Sequence, residues 1–276
     1  MTWPWASDLR PLSARSVALS MLLGAQAPSM SNAELTSLGE LFGINPATMR
    51  VALSRMTGSG DLVLTDGEYS LNERHLARQA VTESLIHPRV RPYDGRWRMV
   101  IVVERGRSLE RRTALRSRLR EQRFGELREG TWLRPDNLDG ATLPPAEREQ
   151  ARTFTTVPDD DRDLCGELWD LDGWAAFARH LLEALGSSPD PMQRLAAAAA
   201  AVRHLCTDPV LPLELAPERW PADELRDAYE VYRADLTATL TRRAGPLEPA
   251  PVPALSSASR RTTPQPSSPL RPKEIR

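Results

Sequence analysis

Arg50 and Arg55 stand on the same side of a short stretch, NPATMRVALSRMTGSG, as the small residues Ala47, Val51 and Ser54. Asn45 followed by Pro46 predicts a helix start, because an Asn side chain accepts unpaired amide protons and proline lacks an amide that the first turn could not use. At about 100° per residue, Met49, Ala52, Leu53 and Met56 form an apolar stripe, and the other five turn outward. Small outward residues let the backbone approach a surface closely, while arginine offers paired donors to guanine edges or to phosphates. The chemistry implied is recognition of a polyanion rather than bond making. A surface helix of an ordinary bundle carries a similar polar side, so the neighbouring elements must decide.

Groups that make or break bonds are sparse. The four histidines, His75, His87, His180 and His204, are scattered outside any HExxH-type pattern, and His204 with Cys206 reads as one core and one surface position. Cys165 and Cys206 form neither a disulfide framework nor a metal-ligand spacing, which fits a reducing compartment and small apolar core residues. No GxSxG, Walker loop or glycine-rich dinucleotide turn is present. The expectation is a non-enzyme with no catalytic residue, no metal site and no cofactor. One alternative is a metal-dependent nuclease with Glu104 at the end of a strand, but Arg105 and Arg107 follow at once and oppose a divalent ion; the other is an interaction module that binds no DNA. The acidic run DDDRD, residues 159–163, reads as a solvated loop and helix cap.

The elements that would position the first helix are strongly signalled. SARSVALSMLLG, 13–24, is helical by pattern, with Val17, Leu19, Leu22 and Leu23 available to a core. In SNAELTSLGELFG, 31–43, Ser31 and Glu34 form a capping box, Leu35, Leu38, Leu41 and Phe42 repeat at helical spacing, and Gly43 ends the helix. LVLTDGEYSL, 62–71, is two apolar runs around Asp66-Gly67, a hairpin signal, and a further helix starts at Asn72. Helix, helix, helix, hairpin is the order of a winged helix-turn-helix, in which the second helix of the pair enters the major groove. The wing carries Asp66 and Glu68 and no basic residue, so it is poorly suited to holding phosphate.

Downstream, WRMVIVVE, 97–104, predicts a continuous apolar strand buried on both faces or nearly so, and RSLERRTALRSRLREQRFG, 107–125, a basic helix with Leu109, Leu115 and Leu119 inward. Strands at 129–135 and 152–158 complete a small ferredoxin-like α+β domain. Residues 172–186, 192–206 and 207–236 read as helical, and 245–276 is too rich in Pro, Ser and Arg to form a core. The fold class is therefore mostly α with α+β: a winged-helix DNA-binding domain at 1–86, a ferredoxin-like central domain at 87–171 serving dimerisation or coupling, a helical C-terminal domain at 172–243, and a disordered basic tail at 244–276.

The 276 residues, 41% of them hydrophobic, suffice for real cores. Net charge is -1 overall, yet it sums opposites: -2 over 1–85, +8 over 86–134, -12 over 135–235 and +5 over 236–276. No run approaches a membrane span, and MTWPWASDLR lacks the pattern of a signal peptide, so a cytoplasmic location without membrane partners is expected.

In order along the chain, SARSVALSMLLGAQ, NPATMRVALSRMTGSGDLV, PYDGRWRMVIVVE, ELWDLDGWAAFARHLLEAL and TDPVLPLELAPERWPADELRDAYEVY resemble the PaaX family of phenylacetate-pathway repressors. The likeness spans roughly 13–236; MRVALSRM and DPVLPLELAPERW are its most specific parts. The resemblance implies a homodimer that binds a double-stranded DNA operator, represses a catabolic operon of the phenylacetic acid degradation type, and is relieved by an acyl-CoA effector such as phenylacetyl-CoA. The positions matching the family's recognition helix are Ala47, Thr48, Arg50, Val51, Ser54 and Arg55. The short acidic wing and the extra tail depart from the family's pattern. CoA carries several phosphates, which Arg96, Arg98 and Arg105, with the aromatic Trp97 nearby, could meet; the same arginines could instead cover the sheet, pair with the acidic later domain or contact the DNA backbone.

Overall fold

The carboxylate of Glu34 accepts from the Ser31 amide at 2.7 Å while the Ser31 hydroxyl accepts from the Glu34 amide at 3.2 Å, so the expected capping box closes in both directions. Asn45 accepts from the Thr48 amide at 2.8 Å, and Asn72 accepts from the His75 amide at 2.9 Å. Each bond satisfies an amide that a helix's first turn leaves without a partner.

The computed structural model describes residues 11–24, 29–103, 108–140, 143 and 148–244. Among them the chain runs α1 (Ala14–Gly24), β1 (Ser29–Ser31), α2 (Asn32–Glu40), α3 (Pro46–Gly58), β2 (Leu62–Thr65), β3 (Glu68–Leu71), α4 (Glu73–Ile86), β4 (Trp97–Val102) and α5 (Leu109–Glu121). It continues with β5 (Gly125–Arg128), β6 (Thr131–Pro135), β7 (Ala151–Thr156), α6 (Asp161–Leu168), α7 (Leu171–Ser187), α8 (Pro191–Leu205) and α9 (Ala222–Ala244). The fold is mixed α plus β, with two antiparallel sheets, and these elements lie within one compact unit, Met1–Gly245. No described helix is long and apolar enough to cross a membrane. Glu104, Arg105 and the tail from 245 onward lie outside the described residues.

The first sheet has the order β1-β3-β2. Asp66 and Gly67 turn the β2–β3 hairpin with φ of 52° and 85°, the left-handed pair that a tight two-residue hairpin requires. β1 pairs with β3 from Ser29–Ser70 to Ser31–Glu68, a strand that SMS does not advertise. The second sheet has the order β5-β6-β4-β7, so its first strand lies between its third and its fourth.

Burial follows helical periodicity with instructive exceptions. In α1 the core stripe is Ala14, Val17, Ala18, Met21 and Leu22; Leu19 is half-buried and Leu23 is 40% exposed, since the small alanines rather than those leucines face inward. In α3, Met49, Leu53 and Met56 are buried. One core joins Val17, Met21, Leu35, Leu53, Leu62 and Ile86 to Trp174, Leu181, Leu205, Leu225 and Leu240, so the first 86 residues and the last three helices share one interior. Thr237 of α9 donates to the Gly24 carbonyl at 2.8 Å, and a Cβ on Gly24 would lie 3.2 Å from Leu236. Each large apolar side chain fully buried there contributes about 1.5–3 kcal/mol.

The second sheet packs Val100, Trp132 and Ala151 on Leu115 and Leu119 of α5. Its opposite face packs Trp97 and Leu133 on Cys165 of α6 and Leu215. Trp97 and Val100 of β4 are fully buried, one on each face, and the other β4 residues are half-buried. Leu109 is 72% exposed, because the first turn of α5 precedes the stretch that meets the sheet. The basic helix stops at Glu121 instead of running to Gly125: Arg123 takes φ 65° and Gly125 opens β5, where a Cβ would lie 2.6 Å from the Leu168 Cβ.

The expected helix over 207–236 begins only at Ala222. Pro209, Pro212, Pro217 and Pro221 block helical bonding before that point, and Val210 and Arg219 adopt φ of 54° and 57°. Asp208 holds this segment: it accepts from the Val210 amide at 3.1 Å, from the Trp220 indole at 3.3 Å and from Arg226. Arg123 and Asn137, the latter donating to the Val210 carbonyl at 2.9 Å, tie the second sheet to the rest, and Arg134 holds Asn137 in place. Arg123 donates to the Cys206 carbonyl and, at 2.7 Å, to that of Leu85; Arg134, fully buried, donates to the Pro135 and Gln122 carbonyls and to Asn137. Burial pushes the Arg134 guanidinium down to about 9.

Candidate nucleic-acid interface

α3 is held from below by its apolar stripe and at its start by Asn45 and Pro46. Gly43, at φ 69°, turns the chain between α2 and α3. At Gly39 a Cβ would come 2.6 Å from the Met49 Cε, so the two helices cross closely. What remains outside is one continuous face: Ala47, Thr48, Arg50, Val51, Ser54 and Arg55 are all exposed. Among the described residues, neither Arg50 nor Arg55 makes an ion pair or a side-chain hydrogen bond. Two cations beside small side chains, with no internal partner, can accept an external anion without first breaking a bond.

A residue that the pattern alone does not reveal fixes this helix to the hairpin and its supports. Asp61, buried just before β2, accepts from Arg15 of α1 at 3.0 Å, from Ser59 at 2.9 Å, from Arg74 at 2.9 Å and meets the His75 ring at 3.2 Å. The Arg15 guanidinium, then the Ser59 hydroxyl and His75, hold its carboxyl well below the usual carboxylate range. A buried acid among arginines and a histidine is recognisable only once α1 and α4 are brought to it. The hairpin tip itself is acidic and exposed at Asp66 and Glu68, with Glu68 accepting from Ser29.

Among the described residues, Arg96, Trp97 and Arg98 do not converge on one site. Arg96 is exposed and chelates Asp94, donating through Nε at 2.7 Å. Trp97 is fully buried, donates to the Tyr93 hydroxyl at 2.8 Å and stacks on Trp169 at 6.4 Å between centroids. Arg98 points to the other side of β4 and donates to Asp136 at 3.0 Å, as strand alternation demands. Arg105 lies outside the described residues. Much of the remaining basic charge of the middle segment is also engaged: Arg116 pairs with Glu126 at 2.6 Å and Arg118 with Glu121 at 2.9 Å, while Arg116 and Arg120 lie over the Trp132 ring. The acid run at 159–163 caps α6 through Asp160, which accepts from the Asp163 amide at 3.1 Å.

The fold does assemble one cluster that the scattered sequence positions conceal. Glu83 and His87, one turn apart at the end of α4, meet Glu230 of α9. His204 forms no such cluster; its ring is buried, stacked on Trp174 at 4.3 Å, and meets the Trp174 carbonyl at 2.9 Å.

Comparisons with known proteins agree with this arrangement. Residues 13–75 match a family model described as PaaX-like protein, and residues 90–162 match one described as PaaX protein central Cas2-like domain. Among solved structures, the chain is similar to the uncharacterized protein Rv0674 from Mycobacterium tuberculosis, at 43% identity and a TM-score of 0.78, over 84% of this chain and 98% of that one. No curated protein matches. With two consecutive family models covering the helix-hairpin unit and the second sheet, and a relative matched along nearly its whole length, the chain belongs to the PaaX family.

Proposed function

We propose that this protein is a DNA-binding transcriptional regulator rather than an enzyme, acting as a homodimer. In this reading α1–α3 with the β2–β3 hairpin form a winged helix-turn-helix, and α3 enters the major groove of an operator. The 4-1-3-2 strand order of the second sheet supports a ferredoxin-like central domain that couples the copies. Membership of the PaaX family supports repression of a phenylacetate-type catabolic operon and relief by an acyl-CoA such as phenylacetyl-CoA.

The observation that carries the reading is the outward face of α3, where Arg50 and Arg55 are exposed and unpaired among Ala47, Thr48, Val51 and Ser54. Control follows by linkage: an effector that favours a dimer geometry unable to span two half-sites weakens DNA binding by the factor by which DNA weakens effector binding. The test is binding of the purified full-length protein to its own upstream intergenic DNA at two salt concentrations, with and without phenylacetyl-CoA. A retarded complex released by the thioester supports class and effector together. A complex indifferent to it keeps the regulator and rejects the ligand, and no selective binding at either salt rejects the regulator.

A further inference from the structure

We infer that Glu83, His87 and Glu230 form a binding site for one divalent first-row transition ion of the zinc type, joining the end of α4 to α9. Their candidate ligand atoms all lie within 4.8 Å of one another. The His87 Nε2 is 3.1 Å from the Glu230 Oε1 and 4.0 Å from the Glu83 Oε2. A tetrahedral ion with bonds of about 2.0–2.2 Å separates its ligands by roughly 3.3–3.6 Å, so side-chain shifts of no more than about 1.5 Å close the set.

The two carboxylates are already aimed. Arg233 takes the other oxygen of each, Glu83 Oε1 at 2.9 Å and Glu230 Oε2 at 2.7 Å, and so leaves Glu83 Oε2 and Glu230 Oε1 toward the imidazole. Partners that hold the outer atoms of ligating side chains are how metal sites fix their inner ones. Two carboxylates against one guanidinium leave a net negative charge for a dication to neutralise. An imidazole with two carboxylates and no thiolate selects zinc, manganese or cobalt over the oxygen-only calcium and magnesium sites. His87 is 46% exposed and each glutamate 33%, so an ion has a way in and water can complete its shell. The ion would fasten α4, which follows directly on the hairpin, at the place where Arg226 of α9 already donates to the Ile86 carbonyl at 2.7 Å.

The experiment uses full-length protein freed of metal by a chelator, titrated with Zn2+ by calorimetry and with Co2+ by visible absorption. One ion bound per chain, a Co2+ spectrum without thiolate charge transfer, and at least tenfold weaker binding in each of His87→Gln and Glu230→Gln are expected. Zn2+ should also raise the melting temperature of the wild type and not that of His87→Gln. Absence of binding to the wild type overturns the inference, as does unchanged affinity in His87→Gln or a thiolate band that assigns the ion to Cys165 or Cys206. If Glu230→Gln fails to fold, His87→Gln decides alone, because the His87 side chain is half exposed.

Discussion

The Arg15 guanidinium of α1 lies 3.0 Å from the Asp61 carboxylate at the foot of the hairpin, and on that ion pair converge the end of α3, the start of β2 and the first turn of α4. Asp61 is buried, so its partners, not water, satisfy it. Its folded value lies below the ordinary 3.8 because of Arg15, Ser59 and His75. The contribution of a carboxylate lowered in this way is complete above the unfolded value, near pH 4, and is withdrawn as pH falls below it. Asp61→Asn should therefore melt earlier than the wild type at pH 7, and the two should converge in strong acid. Melting curves followed by circular dichroism at stepped pH check this; parallel curves at every pH would remove the clamp.

Arg50→Ala and Arg55→Ala separate two ways of touching DNA. An arginine paired to a guanine edge contributes about 1–3 kcal/mol of discrimination, and its loss relaxes specificity at one base pair. An arginine on phosphate lowers affinity for all sequences and reduces the salt slope by about 1. Each variant should show one of these patterns while its circular dichroism spectrum stays that of the wild type. Unaltered operator affinity in both would take α3 out of the interface.

Gly125 has no room for a methyl group. A Cβ there would meet Leu168 at 2.6 Å through its Cβ and 3.1 Å through its carbonyl, neither of which is a flexible side-chain end. Gly125→Ala should destabilise by about 1–3 kcal/mol, as overpacking does, by parting β5 from α6. Chemical denaturation of this variant beside Gly140→Ala, whose site is open in space but left-handed in φ, separates crowding from backbone strain.

His204 gives a second acid window. Burial against Trp174 lowers its value below the ordinary 6.5. Below that pH the unfolded chain takes up a proton that the folded one resists, so stability falls as pH drops from 6.5 toward the folded value. His204→Gln should lose this slope below about pH 6.5 while keeping the Asp61 transition in stronger acid. Melting temperatures across that range test it, and a slope retained in His204→Gln would assign it elsewhere.

The parts of the fold that local chemistry dictates were legible. Ser31 with Glu34, Asn45 with Pro46, and Asp66 with Gly67 each settle their own turn, and the 100° repeat of α3 separates Met49, Leu53 and Met56 from Ala47, Arg50, Val51, Ser54 and Arg55. What required the third dimension was missed. β1 is three residues whose only reason to be extended is β3; Leu23 and Leu109 have inward chemistry at outward angles; the prolines of 207–221 outweigh the helical look of their neighbours. Asp61 and the Glu83–His87–Glu230 group draw on residues far apart in the chain, and Trp97 parts from Arg98 because strand alternation sends neighbours to opposite faces.

The interior that α1, α2 and α3 share with α7, α8 and α9 has a consequence for control. Side chains packed at crystal-like density do not slide freely, so a swivel of α3 against the last helices would tear open the hydrocarbon they have in common. These helices share one packed interior within one compact unit. On the proposed reading as a dimeric regulator, a small molecule that changes DNA affinity would act on the angle at which two such units face each other, in the manner of a rigid-subunit rotation, and its lever would be the spacing between the two α3 helices.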